Sequence, residues 1–150
     1  MTDADKLRVR AARWPRDAAA LQALRRRVFI EEQSVPEPLE WDGRDAECHH
    51  AIAELDDGTP LGTGRLLPAD ADGSAQIGRM AVLPEYRNRG IGRRLLLVLL
   101  DAARDRGDTA VYLHAQVSAI NFYAREGFIA EGELFIEAGI EHRGMRLPLD

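Results

Sequence analysis

Residues 76–92 read QIGRMAVLPEYRNRGIG. Gln76 to Leu83 is an apolar-rich run of strand length, and Pro84, which cannot donate a ladder hydrogen bond, ends it. Gly90 and Gly92 then flank one residue at the head of a segment in which Ile91, Leu95, Leu99 and Ala102 recur at helical spacing. Leu96, Val98 and Leu100 widen that stripe, so a helix is expected over 90–106, closed by Gly107. Backbone N–H groups at a helix N-terminus lack internal partners, and the helix dipole adds partial positive charge there. Glycines let those amides approach a ligand closely, and Arg87, Arg89 and Arg93 bring full charges to the same spot. A pyrophosphate fits such a nest. The common phosphate motifs fit worse: the P-loop lysine is missing, and a third glycine of G-x-G-x-x-G would have to stand where Leu95 does.

The rest of the chain supplies a sheet for this unit. Leu7, Val9 and Ala11 alternate with Arg8 and Arg10 in a strand over 6–12, and Trp14-Pro15 breaks it. Asp17 is the expected N-cap of a helix whose apolar face is Leu21, Leu24, Val28 and Phe29. Residues 34–47 form a proline-containing acidic loop with a short helical turn near 37–41. Strands over 50–55 and 61–67 flank the hairpin signal Asp57-Gly58, and a second turn spans 70–74. A strand over 109–115, a short helix over 119–125 stopped by Gly127, and strands over 128–130 and 140–147 complete the order. Such a mixture belongs to the α/β (mixed α+β) class: a central, partly antiparallel sheet with helices on both faces. The hairpin signals argue against an all-parallel, doubly wound sheet.

Composition narrows the function. The chain's 150 residues are read as a single domain, 1–150, and 45% hydrophobic content is ordinary for a globular fold. A net charge of -5 disfavours nucleic acid as a partner. Cys48 is the only cysteine, which excludes an intrachain disulfide and a two-cysteine zinc site and fits a reducing compartment. Residues 1–10 have no apolar core of signal-peptide type, and the longest apolar run, Leu95 to Leu100, is far short of the roughly 20 residues that span a bilayer. A soluble, cytoplasmic protein with no membrane partner is expected.

The chain resembles the GCN5-related N-acetyltransferases. Arg87-Asn88-Arg89-Gly90-Ile91-Gly92 after Val82-Leu83-Pro84 is similar to the family's [QR]-x-x-G-x-[GA] loop, and residues 115–128, AQVSAINFYAREGF, to its A-I-x-x-Y-x-x-x-G-F segment. Within the family it looks closest to the ElaA-like branch, on Val28-Phe29, Glu32-Gln33, Val35-Pro36, Gly64-Arg65 and Gly78-Arg79-Met80. The resemblance implies a splayed, mostly antiparallel sheet with the pantetheine arm of coenzyme A between the strands ending near Val82 and Ala115. It implies that acetyl-CoA is the acyl donor and an amine the acceptor. Met80, Ala81 and Val82 would pair with pantetheine, with an N–H near Val82 polarising the acetyl carbonyl. Arg87, Asn88, Arg89, Gly90, Ile91, Gly92 and Arg93 would hold the pyrophosphate. Tyr123 would be the general acid on the leaving thiolate. Gln116 stands where the family often has a cofactor-binding Asn, and Asn121, one helical turn on, shares that expectation.

No motif identifies the base. Glu32 is favoured among the acidic residues that follow the first helix, where an acidic mouth would attract a cationic amine. A structural role is expected for His49 or His50 and for His114, an inert one for Cys48, and no metal site. The main alternative is a non-catalytic acyl-CoA-binding regulatory module. The acceptor, a small-molecule or a protein amine, and the oligomeric state, including a homodimer, stay open.

Overall fold

Alternating apolar residues place β2 (His49–Leu55) between two layers: Ala51, Ala53 and Leu55 face one helix layer, and Ile52 faces the other. The computed structural model describes residues 6–150. Around β2 the chain forms β1 (Leu7–Ala12), α1 (Ala18–Arg25), α2 (Glu37–Glu40), β3 (Pro60–Leu66), β4 (Ser74–Val82), α3 (Ile91–Arg106), β5 (Ala110–Gln116), α4 (Ile120–Arg125), β6 (Ile129–Glu137) and β7 (Ile140–Pro148). The sheet order is β1-β2-β3-β4-β5-β7-β6, antiparallel throughout except for β4 with β5. The fold is therefore the mixed, mostly antiparallel one expected, with helices on both faces.

The layer of α3 is the larger. Ile91, Leu95, Leu96 and Leu99 are at most 2% exposed and pack with Ala51, Leu61, Ile77, Val111 and Met145. The wide stripe read from the sequence is thus consumed by the sheet. At about 1.5–3 kcal/mol per fully buried Leu or Ile, this helix carries much of the fold's stability. On the other face α1 buries Leu21 and Leu24, with Val28, Phe29 and Val35 beyond it, against Ile52, Ala81 and Leu83.

Three expectations need correction. Asp17 stands at the N-cap of α1, as expected, but its side chain makes no capping bond: the carboxylate accepts from the Arg13 N–H at 2.7 Å and from the Arg10 guanidinium at 3.0 and 3.1 Å, tying the helix start back to β1. The first helix does not end cleanly either. It runs on as a wide π-helical stretch, Arg26–Glu32, closed by the Gln33 N–H donating to Val28 O at 3.1 Å. Finally, β6 is nine residues long, not three. Its register shifts between Glu131 and Phe135, and a turn at Ala138 and Gly139, both at positive φ, returns it into β7.

Candidate active site

The sheet opens at its one parallel pair. β4 and β5 are in register only at Ser74–Ala110, Ala75–Val111 and Gln76–Tyr112, and beyond those positions no ladder joins them. On its other edge β4 is bulged: Thr63 and Arg65 of β3 oppose Ala81 and Gly78, so β4 spends one residue more than its partner. Arg79 takes up the extra residue at φ +53°, a strained value for a residue with a side chain. The bulge turns Met80 toward the opening. Met80 also lies across Gly64, where a methyl group would collide with the Met80 sulfur.

Two cavities flank the opening, both within the size range of small-ligand sites. The first, about 630 Å³, runs from Met80, Ala81 and Val82 to the head of α3, where Arg87, Asn88, Gly90, Ile91, Gly92 and Arg93 line it. Gly90 is the N-cap at φ +79°, a conformation that favours glycine, and Gly92 is the second residue of the helix. Ser118, Phe122 and Arg125 from the far side complete the wall. The sequence carried no signal for those three beyond their place in the 115–128 block.

The Arg89 guanidinium lies 5.2 Å over the Tyr86 ring, and Arg89 does not line this cavity. Arg87 and Arg93 line the cavity but are ion-paired. Arg93 holds Glu126 at 3.0 Å, and Arg87 meets both Glu32 oxygens at 2.7 Å while donating from Nε to Val82 O at 2.9 Å. The Arg87 guanidinium holds the Glu32 carboxyl below the usual range. A carboxylate held in that way is a weak proton acceptor, which argues against Glu32 as the base.

The second cavity, about 430 Å³, lies between the Phe29–Glu40 segment, the bulge of β4, and the β5, β6 and β7 strands. Gln33, Met80, Ala119 and Tyr123 line both cavities, so the two meet at these residues. Tyr123 is 7% exposed, wedged edge-on against Phe122 and Phe128, and burial pushes its phenol above the ordinary tyrosine value. Gln116 faces this second cavity and donates to the Gln33 amide oxygen at 2.9 Å. Asn121 is exposed on α4 and lines neither cavity. The cofactor contacts expected of Gln116 and Asn121 therefore have no counterpart in the first cavity.

The acidic loop is not an open mouth. Arg25, Arg65 and Arg79 rise from α1, β3 and β4 into its acids. Arg25 binds Glu40 at 2.8 Å and Asp45 at 2.6 Å, Arg65 binds Asp42 and, at 2.9 Å, Asp45, and Arg79 binds Glu40 at 3.0 Å. Burial pushes the Asp45 carboxyl up, and the Arg25 and Arg65 guanidiniums outweigh it, leaving it below its ordinary value. Arg26 and Arg44 take Glu37 and Glu47. The network serves instead to clamp α2 and its loop as one wall of the second cavity.

His50 is buried, stacked 5.3 Å from Trp14, and bonded through Nε2 to Asp45 O at 2.8 Å. Burial lowers its basicity, and its role is structural. Burial raises the Cys48 thiol, which donates to Arg44 O. No helix among the described residues is long and apolar enough to cross a membrane, and none of them form a cluster of metal-ligating side chains.

The chain belongs to the acetyltransferase (GNAT) family, whose model matches residues 17–128. It is 36% identical over 124 residues to the uncharacterized N-acetyltransferase YjcF of Bacillus subtilis, covering 81% of this chain and 86% of that one. Among solved structures it is similar to an acyl-CoA N-acyltransferase from Pseudomonas aeruginosa, with TM-score 0.83, 36% identity and 94% and 99% of the two chains covered. It is also similar to Escherichia coli ElaA, with TM-score 0.82, 30% identity and 93% and 98% covered.

Proposed function

We propose that the protein transfers an acetyl group from acetyl-CoA to a primary amine by direct attack in a ternary complex. The observation that carries this reading is the junction of the two cavities at Tyr123. A donor filling the first and an acceptor filling the second would meet there without leaving either site.

In this reading the pyrophosphate sits at the head of α3, and the pantetheine arm runs along Met80, Ala81 and Val82. A fixed N–H near Val82 stabilises the oxyanion that forms as the amine adds to the thioester. Arg87, bonded to Val82 O, holds that strand end in place. The Tyr123 phenol, kept protonated by its burial, gives its proton to the departing thiolate. An amine of lysine type is mostly protonated at neutral pH, so one proton must also leave the acceptor.

Calorimetric titration with acetyl-CoA, CoA and ATP, followed by thiol release with a panel of amines, tests the reading. Saturable binding of acetyl-CoA and not of ATP, with amine-dependent thiol release, supports it. A folded sample that binds neither acetyl-CoA nor CoA would sink it. Binding without turnover on any amine would leave the non-catalytic acyl-CoA module instead.

A further inference from the structure

Six titratable groups line the second cavity: Glu40, Arg79, His114, Tyr123, Glu137 and His142. Glu40 is 3% exposed and spent on Arg25 and Arg79, and Arg79 has no lone pair to offer. Tyr123 keeps its proton. Among the side chains that line this cavity, the candidates for accepting an amine's proton are then the remaining three, which form one cluster on β5, β6 and β7.

Their geometry orders them. His142 Nδ1 lies 2.7 Å from Ile140 O, and a carbonyl only accepts, so Nδ1 carries the hydrogen and the neutral ring keeps its lone pair on Nε2. Glu137 Oε2 stands 4.0 Å from that Nε2 and 3.2 Å from His114 Nδ1. The Phe135 ring stacks on His142 at 5.8 Å and fixes its plane. His142 is 8% exposed, against 50% for the Glu137 side chain, so the cluster runs from the closed end of the cavity toward solvent.

Register separates the two histidines. His142 pairs with Gln116, the last residue of β5 before the turn that carries Ala119 and then Tyr123. His114 pairs with Gly144, two positions further from that turn. The neighbours of His142 on its own strand, Glu141 and Arg143, point to the opposite face. Across the cavity the charged groups are the ion-paired Glu40 and Arg79, and β5 and the π-helical segment contribute the neutral Gln116 and Gln33.

We infer that His142 is the general base of this enzyme, taking the acceptor's proton on Nε2, with Glu137 positioned to stabilise the imidazolium and His114 to hold Glu137. The inference rests on the transferase reading above. In the step proposed, an ammonium N–H bond breaks and its proton passes to His142. The freed lone pair forms the C–N bond, the C–S bond breaks with its electrons going to sulfur, and Tyr123 protonates the thiolate. The second amine proton replaces the one that Tyr123 gave, and His142 returns its own to water beside Glu137. One proton is released per amide formed.

The test is kcat/KM for thiol release against pH, on the full chain, with aliphatic, amino-sugar and amino-acid amines. His142→Asn, whose amide can keep the bond to Ile140 O, is expected to lower kcat about 10²–10³-fold at neutral pH and to bind acetyl-CoA as the wild type does. Its rate should lose the wild-type titration limb and rise steadily with pH as free amine accumulates. His114→Gln should keep that limb. An unchanged profile in His142→Asn, or loss of the limb in His114→Gln alone, overturns the inference. Should His142→Asn fail to fold, Glu137→Gln, altered at a half-exposed side chain, decides: a kcat reduced fivefold or more supports the relay, and an unchanged kcat refutes it. A wild type that binds acetyl-CoA but turns over no amine refutes the transferase reading itself, and this inference with it.

Discussion

Replacing Arg25 by Met tests whether the buried ion network is what holds the wall of the second cavity. The Arg25 side chain is 2% exposed and reaches two carboxylates, Glu40 and Asp45, whose own side chains are 4% and 9% exposed. It also donates to Glu40 O at 3.1 Å and lies 5.2 Å over the Trp41 ring. Met fills much of the same volume, so the loss is mainly electrostatic. Removing one partner of a buried pair costs about 3–5 kcal/mol, because the other is left as an uncompensated charge. Here each acid keeps a second arginine, Arg79 for Glu40 and Arg65 for Asp45, which puts the expected cost at the low end, about 3 kcal/mol. For a chain of this length that is a fall in Tm of about 6–12 °C. Thermal unfolding followed by circular dichroism measures it, with Arg44→Met as the control. The Arg44 and Glu47 side chains are about half exposed, and their pair is worth at most about 1 kcal/mol. A loss below about 1 kcal/mol in Arg25→Met, or equal losses in the two variants, would refute the argument.

Tyr123→Phe removes one hydroxyl from the cavity junction, so acetyl-CoA should still bind while kcat for thiol release falls about 10²-fold. An unchanged kcat would remove Tyr123 from the chemistry. The Asp17 carboxyl is lowered from its ordinary 3.8 to about 2, first by the Arg10 guanidinium. A depressed carboxyl stabilises the fold above its unfolded value, and that contribution is lost as pH falls through about 2. Asp17→Asn should therefore cost about 1–2 kcal/mol in urea at pH 7, and the gap to wild type should close on acidification. A gap that stays constant down to pH 2 would sink this account. Gly64→Ala should displace the Met80 side chain and cost about 1–3 kcal/mol by overpacking. A variant as stable as wild type with unchanged acetyl-CoA affinity would show that Met80 is free to move aside.

What was legible in the sequence was local. The 3.6-residue period of 91–106 and the glycines at both its ends are written within one short window, and so are the period-two strands and the Asp57-Gly58 turn. The acidic loop was misread because its partners, Arg25, Arg65 and Arg79, lie 15 to 39 residues away in pairs such as Arg25–Glu40 and Arg79–Glu40, and no local pattern announces them. The outer half of β6 was missed for another reason. Glu131, Gly132 and Glu133 look like a turn, and Leu134 and Ile136 are exposed at a sheet edge, so no buried face imposed alternation. The cluster of His114, Glu137 and His142 exists only because β7 lies between β5 and β6, an order that no sequence period encodes.

The gap between β4 and β5 also bears on how the molecule holds together. With only three paired positions at that seam, β1–β4 and β5–β7–β6 are two half-sheets joined by that short ladder and by a shared buried core. An extended ligand lying in the seam acts as a missing strand, offering amide groups to edges that have no partner, in the manner of strand addition. Its occupancy then works as a keystone: amide exchange at the ends of both β4 and β5 is expected to slow together when acetyl-CoA is added.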